Sequence, residues 1–242
     1  MAPPELEIEG SGEPYLVWRV GHAPDPWAWT SWDYADDEGL FGGRWDDQLG
    51  EFRTIYTANS LLGCLLELLA HFRPCRELLV ELDQIEDDDG SIGNQPEAPE
   101  GAVGHTWLEG RVYGSALQRG RYCFITHSRS IATLITRYPL HEHGLTPADV
   151  DTALLKDAGN RLLTRNIARW VYDRNDGTSP IDGIRFNSRH GDEIRVWAVF
   201  ERAGDPPRPQ LVEPSDETSG IGSDLPELLE AFTRFGLHWH EG

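Results

Sequence analysis

The chain has 242 residues, with 41 acidic and 21 basic side chains and a formal net charge of -20 at pH 7. That length suits one domain with appendages, and nine Trp among 39% hydrophobic residues exclude a disordered acidic chain. The negative field also excludes a general binder of nucleic acid or anionic membrane, whose footprint is basic.

Lys156 is the sole lysine beside twenty arginines. Genome composition explains that skew more simply than function does, and acidic, lysine-poor chemistry also fits life in high salt. Cys64, Cys75 and Cys123 show no CxxC spacing and are expected to be reduced core thiols of a cytoplasmic protein. MAPPELEIEG has neither a basic start nor an apolar run, so no signal peptide is expected. The greasiest stretch, Leu61 to Ala70, carries Glu67 and falls far short of the roughly 20 residues that span a bilayer.

Residues 1–14 read as a polar tail, and order is expected from Tyr15, where Tyr15 to Val20 is rich in strand formers. An aromatic loop (Trp27, Trp29, Trp32, Tyr34, Phe41) closes in Gly42-Gly43-Arg44-Trp45, before a strand at Thr54 to Thr57. Asn59 or Ser60 can cap a helix running to about Phe72, stopped by Pro74. Glu77 to Leu82 alternates like a strand, and residues 84–104, with six acids, no basic residue and two Pro, read as a surface loop or insertion.

Further along, the pattern predicts a strand at Arg121 to Thr126 and a helix at Ser128 to Tyr138, with another helix start at Thr146-Pro147. An amphipathic helix follows from about Asn160 to Tyr172, then strands at Ile181 to Phe186 and Ile194 to Phe200. Residues 203–224 are rich in Pro, Gly, Ser and acid and read as a tether before a last helix at Pro226 to Phe235. The mixed order of elements predicts an α+β domain over about 15–202, followed by the tether and C-terminal helix of 203–242.

Glu67 is the most informative side chain. Leu61, Leu65, Leu68, Leu69 and Phe72 form one face of its helix, and Gly63 and Ala70 are expected to leave open space beside the carboxylate. It therefore faces either a ligand cavity or solvent as part of a polar stripe. Paired glycines before Arg44 let a backbone approach a ligand closely, and an arginine there can grip phosphate, although a turn with a surface Arg is the plainer reading of GGRW alone. Tyr56 alone reads as a core aromatic.

Ser188 ends the Asp182-Gly183-Ile184 strand without a GxSxG elbow, which points to hydrogen bonding rather than nucleophilic attack. His141-x-His143 and His238-x-His240 lack a Cys or carboxylate frame, so no metal is expected. Neither GxGxxG nor GxxxxGK[ST] is present.

Taken in order, Trp18-Arg19-Val20, Gly43-Arg44-Trp45, Tyr56, the helix with Glu67 and His71, and Asp182-Gly183-Ile184 leading to Ser188 resemble the RES domain family over about 15–200. The resemblance implies an ADP-ribosyltransferase-like mixed sheet core with flanking helices, and a cytoplasmic NAD-consuming enzyme, many relatives being bacterial toxins neutralised by a helix-turn-helix antitoxin. It implies that Arg19 and Arg44 hold the NAD phosphates and ribose, Tyr56 stacks on nicotinamide, Glu67 is the catalytic acidic residue, and Ser188 positions the substrate. Arg44 and Tyr56 thus count among both the catalytic and the binding residues. Hydrolysis, phosphorolysis and ADP-ribosyl transfer to protein share that site, and an inactive NAD-binding module shares the fold. Residues 84–104 and 139–158 look inserted against the family, and Asn187 stands where it often has Pro. The C-terminal helix is expected to cap the domain or to form a homo-oligomer contact.

Overall fold

A computed structural model describes residues 5–10, 12–74, 100–157, 159–174 and 179–240. The strands expected from pattern appear as β2 (Tyr15–His22), β3 (Thr54–Ala58), β6 (Arg121–Phe124), β7 (Gly183–Ser188) and β8 (Gly191–Phe200). The helices appear as α1 (Leu61–Leu69), α2 (Ser128–Arg137), α4 (Arg161–Tyr172) and α5 (Pro226–Phe235). Elements that the pattern did not predict are β1 (Ile8–Gly10), β4 (Ala102–Gly104), β5 (Arg111–Gln118), α3 (Thr152–Lys156), β9 (Val212–Gly220) and β10 (His238–His240). The helix start expected at Thr146-Pro147 is a single 3-10 turn, Pro147–Asp149.

Among the described residues, eight strands form one sheet in the order β1-β6-β7-β8-β3-β2-β5-β9, while β10 and β4 form a separate parallel pair. Among the described strands of the large sheet only β6 and β7 run parallel; the other pairs are antiparallel. Residue alternation divides its two faces. Val20, Tyr56, Ala58, Ile184, Phe186, Val196 and Ala198 pack with α1, α4 and α5 into the larger core. Val17, Ile55, Trp197 and Val199 point the other way, onto Trp27 and Trp29 of the aromatic loop. The result is an α+β domain with a mixed sheet and flanking helices.

Several expectations need correction. The tail expected over 1–14 contains β1, whose three residues pair antiparallel with β6. The tether expected over 203–224 contains β9, which pairs with β5 and completes the sheet, so the domain does not stop at 202. Residues 139–158, which look inserted against the family, carry Leu140, Val150 and Leu155 into the main core. Within the expected acidic loop, 102–104 is β4; residues 84–99, the strand expected at 77–82 and Cys75 lie outside the described residues.

Two local features position the site. Ser60 caps α1, its Oγ accepting the Gly63 amide at 3.0 Å, a bond type worth about 1 kcal/mol. A Cβ on Gly63 would come within 2.9 Å of Ile194 Cγ2. Gly63 thus brings α1 close to β8 and leaves no open space, contrary to the sequence expectation. At the start of β7, a Cβ on Gly183 would meet the Ala198 carbonyl oxygen at 2.1 Å, and Asp182 accepts the Arg121 amide at 2.7 Å. The Asp-Gly-Ile run is therefore a device for joining β7 to its two neighbours.

Candidate active site

Strands β2 and β3 are bridged at one residue pair, Trp18↔Ala58, and part beyond it. Arg19 spans the gap, donating from Nη1 to the Tyr56 carbonyl at 2.9 Å and from Nε to the Pro26 carbonyl at 2.5 Å. Burial pulls its pKa down to about 10, with Cys64, Asp25 and Asp46 opposing, so Arg19 is still a cation at neutral pH.

A cleft of about 450 Å³ opens at this separation, lined among others by Arg19, Arg44, Tyr56, Glu67, Arg111 and Arg161. Among the described lining residues, four arginines and one carboxylate make it a positive recess in a chain of net charge -20.

Arg44 sits on a tightly bonded loop. The Gly43 amide donates to Asp46 Oδ2 at 2.5 Å, the Tyr56 hydroxyl donates to Asp46 Oδ1 at 2.9 Å, and the Trp45 amide donates to the Tyr56 hydroxyl at 2.8 Å. A Cβ on Gly43 would lie 2.5 to 2.7 Å from the Asp46 carboxylate and Tyr56 hydroxyl oxygens, which explains the second glycine. Trp45 is fully buried with its ring centroid 5.8 Å from that of Phe186, pinning the far side of the loop.

Helix α4 holds the loop from outside, Arg161 donating to the Gly42 carbonyl and Arg165 to those of Phe41 and Gly43. Arg44 itself donates to the Leu155 carbonyl of α3 at 3.2 Å. Burial lowers its pKa, helped by Arg161 and Arg189 and opposed by Glu67. Burial raises the pKa of Asp46, against its bonds from Tyr56 and Gly43. Burial, and then the Asp46 charge, holds the Tyr56 phenol well above its ordinary range.

Glu67 reaches the cleft from α1, half-buried. Ser188 at the tip of β7 is 1% exposed. Its hydroxyl donates to Glu67 Oε1 and accepts the His190 amide at 2.9 Å. One hydroxyl thus ties together residues 121 apart in sequence, and a carboxylate held this way does not rotate freely. Cys64 also lines the cleft, but burial pushes its thiol up to about 12, with Arg19 opposing. It is a neutral thiol at pH 7 and donates to the Trp18 carbonyl.

The structure therefore brings Arg19, Arg44, Tyr56 and Glu67 to one cleft and bonds Ser188 to Glu67. Sequence reasoning missed Asp46, Arg111, Arg161 and His190. Asp46 is one acid among 41, and neither arginine carries a local pattern; only the position of His190, two residues beyond Ser188, hinted at a role. Tyr56 is both a core aromatic and a cleft residue, since its hydroxyl anchors the loop while the side chain lines the recess.

The domain is α+β, and its split sheet holds an Arg-lined recess in which a strand-end serine bonds a carboxylate. The RES domain model matches residues 16–218, and the chain belongs to the RES domain family. No curated protein matches it. Among solved structures it is similar to a chain in the crystal structure of the M. tuberculosis MbcT-MbcA toxin-antitoxin complex. That likeness has 15% identity and a TM-score of 0.42, covering 86% of this chain and 84% of the other. Among the described residues no helix is long and apolar enough to cross a membrane.

Proposed function

We propose that the chain is a cytoplasmic toxin that binds NAD in the cleft and breaks its nicotinamide–ribose bond, held in check by a helix-turn-helix antitoxin. Family membership supports the substrate class. The observation that carries the reading is the bond from Ser188 to Glu67 inside an arginine-lined recess.

The chemistry suits these groups. The electron pair of the C1′–N bond leaves with nicotinamide, and positive charge develops on the ribose as in glycoside cleavage. Glu67, fixed by Ser188, stabilises that charge and holds ribose hydroxyls. Arg44 and Arg19 offset the pyrophosphate charge. Tyr56 stacks on the nicotinamide. Nicotinamide departs neutral, so its departure requires no general acid. An acceptor oxygen then bonds to C1′ and loses its proton; water gives hydrolysis, phosphate gives phosphorolysis and a protein side chain gives ADP-ribosylation.

The test is nicotinamide release from NAD by the purified protein, with and without phosphate and with labelled NAD in lysate, beside Glu67→Ala. Release that disappears in the variant supports the reading, and the phosphate dependence or the labelled product names the acceptor. No release under any of these conditions, with NAD still stabilising the fold, would make this an NAD-binding module.

A further inference from the structure

The matched family span ends at residue 218, and α5 with β10 lies beyond it. This segment is not a loose appendage. Leu228, Ala231 and Phe232 of α5 are buried in the main core, α5 packs along α1, and β10 pairs with β4.

At the end of α5, Phe235 reaches the β7–β8 turn. Its ring stands edge-on to the His190 ring with centroids 5.5 Å apart, and the Arg73 guanidinium, just past α1, lies 4.9 Å from the Phe235 ring centroid. On the same side, Arg234 approaches Glu193 at 4.0 Å. The turn needs such support. Arg189 is exposed, the ladder shifts register between Asn187 and Ser188, and the pairing resumes at Ser188↔Gly191. His190 is nevertheless half-buried, and its amide holds Ser188 Oγ, which donates to Glu67.

We propose that Phe235 is a positioning residue: by holding the His190 turn against α1, the C-terminal helix keeps Ser188 on the Glu67 carboxylate. This rests on the reading of Glu67 as the group that acts on NAD, and it adds a segment outside the family span to the working site. Phe235 is not among the residues that line the recess; it acts through the turn.

The experiment uses the full chain with Phe235→Ala, Phe235→Leu and Phe235→Tyr, and Phe232→Ala as a purely structural comparison on the same helix. Loss of the Phe235 ring should lower kcat for nicotinamide release about tenfold while KM moves less than about twofold, because misplacement of a reacting group falls on the chemical step. Phe235→Tyr should restore kcat, Phe235→Leu should behave as Phe235→Ala does, and Phe232→Ala should lower Tm without the kcat–KM split. In parallel, exchange of the His190 amide, followed by NMR, should quicken about tenfold in Phe235→Ala as the turn opens locally.

A folded Phe235→Ala or Phe235→Leu with kcat within about twofold of wild type and unchanged His190 exchange overturns the proposal. If wild type releases no nicotinamide, the functional reading fails by itself, and the amide exchange alone decides whether Phe235 positions the turn.

Discussion

The Tyr56 hydroxyl donates to Asp46 Oδ1 at 2.9 Å, joining the middle of β3 to the loop that carries Arg44. Asp46 is 5% exposed, so its carboxylate depends on that donor and on the Gly43 amide. Tyr56→Phe keeps the ring but leaves the carboxylate and the Trp45 amide short of a partner. The expected loss is about 1–3 kcal/mol in urea unfolding, with slower nicotinamide release as Arg44 loosens. Tyr56→Ala should lose more activity than Tyr56→Phe, since the ring goes too; equal activities would remove the ring from the site.

The two glycines before Arg44 should behave oppositely. An added methyl at Gly43 would collide with Asp46 and Tyr56, whereas nothing lies within 4 Å of a Cβ at Gly42. Gly43→Ala is expected to cost about 1–3 kcal/mol as an overpacked position and to depress activity. Gly42→Ala should leave Tm and activity close to wild type. A thermal melt of each variant decides the matter, and a neutral Gly43→Ala would mean that the loop is not held as tightly as its bonds imply.

Glu67 and Ser188 should separate by magnitude. Glu67→Gln removes the charge proposed to stabilise the ribose and is expected to lower kcat on the order of 10²-fold or more. Ser188→Ala leaves the charge but frees the carboxylate and deprives the His190 amide of its acceptor. A smaller fall of about tenfold is expected there. Steady-state nicotinamide release from both variants tests this, and a larger loss at Ser188 than at Glu67 would reverse the roles assigned to them.

Much of this site was legible because its residues break their local pattern. Glu67 is the one charge in the leucine-rich helix Leu61–Leu69, and Ser188 ends a strand of buried residues. Asp46 breaks no pattern in so acidic a chain, and its role exists only once β3 lies beside the loop. The edges of the sheet were missed for a related reason. In β9 only Val212 is buried among the residues whose exposure is described, so alternation gives no signal, and Pro214 is tolerated because that strand pairs on one side. The polar composition that suggested a tether is that of an edge strand.

Acid should weaken the fold through His190. Burial pulls its pKa below the ordinary 6.5, Arg189, Arg73 and Arg44 act in the same direction, and Glu67 opposes them. For a base with a lowered folded-state pKa, the unfolded chain binds more protons just below 6.5. Stability therefore rises with pH up to that value and is lost as pH falls below it. Asp46, raised by burial, contributes with the opposite sign from 3.8 upward, so a comparison at matched pH is required. Denaturant unfolding between about pH 7 and pH 5.5 should show a shallower slope for His190→Gln than for wild type. Identical slopes would mean that His190 titrates alike in both states.

Salt should help the proposed reaction, contrary to the habit of proteins that bind anions through arginine. Two fields act on an incoming NAD. The net charge of -20 repels it from a distance, and screening shortens that reach from roughly 10 Å at 0.1 M salt to roughly 3 Å at 1 M. Arg44 and its neighbours Arg19, Arg111 and Arg161 attract it at contact, in a recess where screening is weak. Between about 0.02 M and 0.2 M salt, kcat/KM for NAD is therefore expected to rise a few-fold. Arg111→Gln should raise KM without changing kcat, as expected of a lining cation that attracts the substrate alike before and during bond cleavage. A kcat/KM that falls with salt would show that the arginines steer NAD from afar, and the acidic surface would then lie on sides of the molecule that the substrate does not approach.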